Sequence, residues 1–94
     1  MNVDYISGVR ELMEDETSLY IIEWCLDNKG KFYIYIESSS VAIKDYSKSF
    51  ENLTNLEMIE LKETVIQYGM KRYDAKITKK GRTVYKQIKS FLDL

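Results

Sequence analysis

Polar and apolar positions are most regularly ordered between Glu57 and Leu92, which read as strand, tight turn, strand and a basic amphipathic helix. Met58–Tyr68 is rich in Ile, Val, Thr and Tyr, and Arg72–Thr78 sets Tyr73, Ala75 and Ile77 against Arg72, Asp74 and Lys76. A period of two in such residues predicts half-buried strands. Between them, Tyr68-Gly69-Met70-Lys71 puts glycine first in a two-residue loop, which predicts a type II′ hairpin turn. Thr78-Lys79-Lys80-Gly81 breaks the alternation. Arg82–Leu94 then takes up helical spacing through Val84, Ile88 and Phe91 or Leu92, so that residues 78–94 form a terminal helix.

The first half is less regular. Met1–Asp4 reads as a frayed end. Ser7 is placed to cap a short helix over Val9–Glu14, with Ile6, Val9 and Met13 on one face, so residues 1–17 are an extension or a helix. Thr17 or Asp15 caps Ser18–Asp27, a helix apolar nearly all round that needs cover on more than one side. Gly30 or Asn28 suits its left-handed end. Lys31–Glu37 is aromatic and β-branched, which predicts a strand. Ser38-Ser39-Ser40 offers caps for a brief helix over Ser39–Ile43. Lys44-Asp45 then reads as a turn and Asp45 as the N-cap of a third helix, Tyr46–Leu56, with Tyr46, Phe50 and Leu53 along one face.

Ninety-four residues without linker, repeat or low-complexity stretch form one domain, residues 1–94. Apolar runs are far short of a membrane span and no signal-peptide pattern stands at the N-terminus. A single cysteine makes no intrachain disulfide, so the expected compartment is the cytoplasm. Scarce glutamine, no histidine and abundant Lys, Glu, Ile and Tyr fit a hyperthermophile or one of its viruses. Net charge is only −1, but residues 1–64 hold 13 acidic and 6 basic side chains while residues 65–94 hold 8 basic and 2 acidic. That asymmetry makes one face positive.

Catalytic chemistry finds no carrier. Without histidine there is no Ser–His or Cys–His relay and no histidine-ligated metal, and no glycine-rich phosphate loop occurs. Glu14-Asp15-Glu16 is an acidic first turn for the next helix rather than a metal site. Cys25, inside the most apolar helix, reads as a small buried hydrophobe. The sequence therefore points away from an enzyme and implies no cofactor and no metal. What it offers is a helix with short polar or basic residues near its start, Tyr46, Ser47, Lys48 and Asn52, with Lys44 in the turn before it, able to reach base edges. Lys71 and Arg72 at the hairpin stand ready for phosphates, or else blunt an exposed edge.

The run Leu53-Thr54-Asn55-Leu56-Glu57-Met58-Ile59-Glu60-Leu61 resembles a recognition helix passing into a wing strand. Ala75–Lys86, with its hydrophobic-Thr-x-x-Gly passage, is similar to the same region of archaeal and archaeal-virus winged-helix regulators. The resemblance implies an α+β winged helix-turn-helix domain with a two- to three-stranded antiparallel wing sheet and a C-terminal dimerisation helix. It further implies double-stranded DNA binding as a homodimer, in transcriptional regulation. Tyr46, Ser47, Lys48 and Asn52 would then belong to the recognition helix, and Lys71 and Arg72 to the wing. Surplus apolar surface places Trp24, Val84, Ile88, Phe91 and Leu92 at the dimer interface, unless these residues pack within one chain. The competing reading is a winged-helix module that binds a protein partner without specific DNA recognition.

Overall fold

The computed structural model describes residues 3–92, with backbone alone at residues 3–7, 68, 91 and 92. The chain runs α1 (Val3–Glu14), α2 (Glu16–Asp27), β1 (Lys31–Glu37), α3 (Ala42–Asn55), β2 (Ile59–Val65), a 3-10 turn (Gln67–Gly69), β3 (Met70–Ile77) and α4 (Lys79–Leu92). Among the described residues this is an α+β fold of four helices and one three-stranded antiparallel sheet, ordered β1-β3-β2.

Alternation along the strands fixes the two faces of the sheet. Phe32 and Ile36 of β1, Ile59 of β2 and Tyr73, Ala75 and Ile77 of β3 are buried beneath α2 and α3. Their neighbours Tyr33, Tyr35, Lys62, Arg72 and Lys76 lie on the other face. The period-two reading of β3 and the seven residues of β1 are thus borne out. The hairpin differs from expectation. Ile66 N–H donates to Met70 O at 2.7 Å, enclosing a three-residue loop. Gly69 closes it at φ +73°, so the glycine supplies a left-handed final residue and not the first residue of a type II′ turn.

Asp15 joins three helices. It caps α2 by accepting from the Thr17 amide at 3.1 Å, and it also accepts from the hydroxyls of Ser18 (2.5 Å) and Ser49 in α3 (2.7 Å). Helix α1 begins at Val3, earlier than the sequence reading placed it, because nothing before Ser7 breaks a helix; the Ile6 side chain lies outside the described residues. Burial works to raise the Asp15 pKa, but its hydrogen bonds from Ser18, Ser49 and Thr17 outweigh it and hold the carboxyl below its usual value. A depressed folded pKa contributes stability above the unfolded value, about 4, and loses it as pH falls through the folded value. We expect Asp15→Ala to cost about 1–2 kcal/mol at pH 7, the range of a lost N-cap. Urea unfolding should show the difference shrinking toward pH 2; an equal difference at both pH values would contradict the assignment.

Helix α3 corrects the expected pair of helices. Ile43, Tyr46, Phe50 and Leu53 form one stripe at spacings of three and four, which carries the helix unbroken through Lys44-Asp45 back to Ala42. The serines serve as its lead-in: Ser40 Oγ accepts from the Ala42 amide at 3.2 Å. No separate helix over Ser39–Ile43 forms. Asp45 lies in the first turn, where its charge suits the dipole, and does not cap.

Helix α4 is capped by Thr78, whose Oγ1 accepts from the Gly81 amide at 2.9 Å and donates to Glu57 O at 2.7 Å. Thr78 N–H donates to Met58 O at 2.9 Å. These bonds lay α4 against its own chain. Ile88 (4% exposed) and Tyr85 join the core, Val84 packs against it, and Tyr85 donates to Glu23 of α2 at 2.6 Å. Burial within its own chain takes Ile88 out of the expected dimer interface, while Val84 stays half-buried. Phe91 and Leu92 end α4 with side chains outside the described residues. Trp24 stays open at 40% exposure, edge-on to Tyr20 and Phe32. Cys25 is buried among apolar neighbours, and burial pushes its thiol up to about 11, so it is protonated and unreactive near neutrality.

Candidate nucleic-acid interface

The five candidate readers on α3 do not share a face. Lys44 and Ser47 are exposed on the outer side of the helix. Tyr46 is half-buried against Phe50, at 6.0 Å between ring centroids, so it supports the core. Lys48 and Asn52, one turn apart, look toward α1: Lys48 Nζ stands 3.7 Å from Glu11, and Asn52 lies beside Gly8. Both line a cleft of about 390 Å³ with Glu11, Glu14, Asp15 and Asp45. An acid-lined cleft repels phosphate. Among the described residues no group of carboxylates there is arranged to hold a metal ion.

Lys71 and Arg72 lie within β3 and not at the loop tip, and as adjacent strand residues they emerge on opposite faces. Each already has a carboxylate. Lys71 Nζ is 3.0 Å from Glu63, and the Arg72 guanidinium bonds Asp74 at 3.0 Å and the Tyr35 hydroxyl at 2.7 Å. Its Cζ also lies over the rings of Tyr33 (4.9 Å to the centroid) and Tyr35 (5.3 Å). The hydrogen bond Lys71 donates to Glu63 raises its pKa, and that which Arg72 donates to Asp74 raises the Arg72 pKa, so both stay charged.

Two basic surfaces went unassigned in the sequence reading. Lys79, Arg82, Lys86 and Lys89 follow one another at spacings of three, four and three, which makes one exposed stripe along α4, flanking the buried face of Gly81, Tyr85 and Ile88. The spacing is present in the sequence, alongside the apolar stripe of Val84, Ile88 and Phe91. The second surface is the outer face of the sheet. Lys31 faces Lys76 across β1 and β3, Tyr33 and Tyr35 flank Arg72, and Lys62 lies beyond on β2. A depression of about 580 Å³ runs across it. Arg82 connects the two surfaces, since its guanidinium packs over Gly30, between Lys29 and Lys31.

Compared with known protein families, curated proteins and solved structures, the chain matches none. None of the described helices is long and apolar enough to cross a membrane.

Proposed function

We propose that the chain is a winged-helix protein that binds double-stranded DNA as a homodimer, in the regulation of transcription. Supporting the fold reading, α1 and α2 precede β1, the single helix α3 lies between β1 and β2, and the β2–β3 hairpin occupies the place of a wing in a sheet ordered β1-β3-β2. The observation that carries the functional reading is the α4 stripe of Lys79, Arg82, Lys86 and Lys89, four exposed cations in line on one side of one helix. Such a row matches a phosphate backbone and reads no sequence. Lys44 and Ser47 are what α3 offers to base edges, and with Asp45 and Glu51 cancelling its lysines, sequence preference is weak.

Fluorescence anisotropy on a labelled duplex tests this. Binding should weaken linearly in a log–log plot against salt, with a slope of about −3 to −4 for four phosphate contacts. No binding at about 50 mM salt, or a slope near zero, would sink the proposal. A single strand that competes as well as duplex would move the site to the aromatic face of Tyr33 and Tyr35. The second reading, a module that binds a protein partner, draws on the exposed aromatic pair Tyr20 and Trp24. Partner binding of that kind would be insensitive to salt.

A further inference from the structure

The edge of β1 has a composition that strand edges ordinarily avoid. Among the described residues β1 hydrogen-bonds to one neighbour, β3, and its other side is an edge. Protected edges carry charges in mid-strand, proline or bulges. The opposite edge, β2, does so with Glu60, Lys62 and Glu63 at its centre. β1 reads Lys-Phe-Tyr-Ile-Tyr-Ile-Glu, seven residues with charges only at its two ends and opposite in sign.

That sequence is complementary to itself. Ile77 N–H donates to Gly30 O and Ser38 N–H to Gly69 O, so even-numbered residues of β1 bond to β3. By the alternation of an antiparallel ladder, the backbone groups of Lys31, Tyr33, Tyr35 and Glu37 point to the open edge. A second copy laid antiparallel about a two-fold axis at Ile34 pairs residue 31 with 37 and 33 with 35. Odd meets odd, so every outward N–H and C=O finds a partner. Lys31 meets the opposite charge of Glu37 at both ends, Phe32 meets Ile36 on the helix side, and Ile34 meets itself. A shift of one residue along the strand would turn outward groups against inward ones, and a shift of two would leave the end charges unmatched.

The helix side of this edge is apolar as well. Tyr20 (47% exposed) and Trp24 pack edge-on against Phe32 at 6.4 and 5.7 Å. Those rings extend the apolar surface from the strand edge onto α2. We propose that two copies of this chain join β1 to β1 about a two-fold axis through Ile34, forming one six-stranded sheet. This inference rests on the homodimer reading above and replaces α4 as its interface.

Sedimentation and disulfide trapping test it together. Wild-type protein at tens of micromolar should sediment as a dimer; a monomer overturns the interface and the homodimer reading alike. In Ile34→Cys the two thiols would face each other as a non-hydrogen-bonded pair, with Cα atoms about 4.5 Å apart, inside disulfide range. Mild oxidation should therefore give a covalent dimer that reducing agent reverses. Tyr33→Cys, diagonal to its own copy, should cross-link at least about tenfold less. A sedimenting dimer that Ile34→Cys does not trap overturns the β1 interface and leaves the homodimer standing. Charge gives a check that misfolding does not mimic. Lys31→Glu or Glu37→Lys alone should weaken the dimer about tenfold, and the two together should restore it. Failure of the double exchange to restore it also overturns the pairing.

Discussion

Gly81→Ala should destabilise the protein severely, although alanine is the better helix former. A Cβ at residue 81 would stand 2.1 Å from Met58 O and 2.9 Å from both the Met58 carbonyl carbon and Ile77 Cγ1. The obstructing atom is backbone, and it is already held by the Thr78 amide at 2.9 Å. To make room, α4 must lift from the α3–β2 connection. That strains or breaks the Thr78 bonds to Met58 and Glu57, each worth about 1 kcal/mol net. Overpacking adds roughly 1–3 kcal/mol, and helix propensity returns about 1. The net loss is about 2–4 kcal/mol, a large share of the 5–15 expected for a domain. For this chain length it lowers Tm by roughly 10–25 °C.

Gly69→Ala is the informative contrast. Its nearest non-local atom, Ser38 Oγ, is 4.0 Å from the new methyl, so space is free and only φ +73° is disfavoured. A cost of about 1–2 kcal/mol follows from conformation alone. Thermal unfolding of the two variants separates crowding from backbone strain. Were Gly81→Ala as stable as wild type or more so, the close approach of α4 to Met58 would be wrong. The same approach gives the Thr-x-x-Gly passage a physical meaning: threonine caps the helix and glycine admits the connecting carbonyl.

How far the sequence disclosed this structure depends on the range of the interactions involved. Alternation in β3 and the aromatic run of β1 were legible because burial on one face imposes a period of two on adjacent residues. The α3 stripe was legible too, but its start was not, since Ser38-Ser39-Ser40 and Asp45 offer competing caps and only the burial of Ile43 decides between them. The hairpin was misread for a similar reason. A glycine marks a left-handed residue without saying which loop position it fills. The site suffered most. Arg72 and Asp74, two residues apart on one face of β3, are a pair that strand spacing does encode. That Lys48 faces Glu11, that Lys71 meets Glu63 across the hairpin, and that Ile88 is enclosed by its own chain are contacts between segments apart in sequence. No local spacing encodes them. The α4 stripe, by contrast, is a purely helical spacing, and it could have been read from the sequence.

The largest effect on DNA binding is accordingly expected at α4 and not at the hairpin. Replacing Lys79, Arg82, Lys86 and Lys89 together by glutamine removes four cations that lie exposed in one row. Each phosphate contact contributes about 0.9 to the log–log salt slope. The slope should thus fall by about 3–4, and affinity near 0.1 M salt by about 10³-fold. Stability should change by no more than about 1 kcal/mol, because Lys79, Lys86 and Lys89 are exposed and only Arg82 packs on its own chain, over Gly30, which urea unfolding verifies. Lys71 calls for a different experiment. It is bound to Glu63, so a single substitution would unmask a carboxylate and repel DNA without any lost contact. Replacing both partners, Lys71→Gln with Glu63→Gln, removes the pair at unchanged net charge. Binding and slope should then match wild type if the pair only braces the hairpin. A slope lowered by about 1 in that double variant would return Lys71 to the interface. A quadruple α4 variant that keeps the wild-type slope would remove α4 from it, and with it the observation on which duplex binding rests.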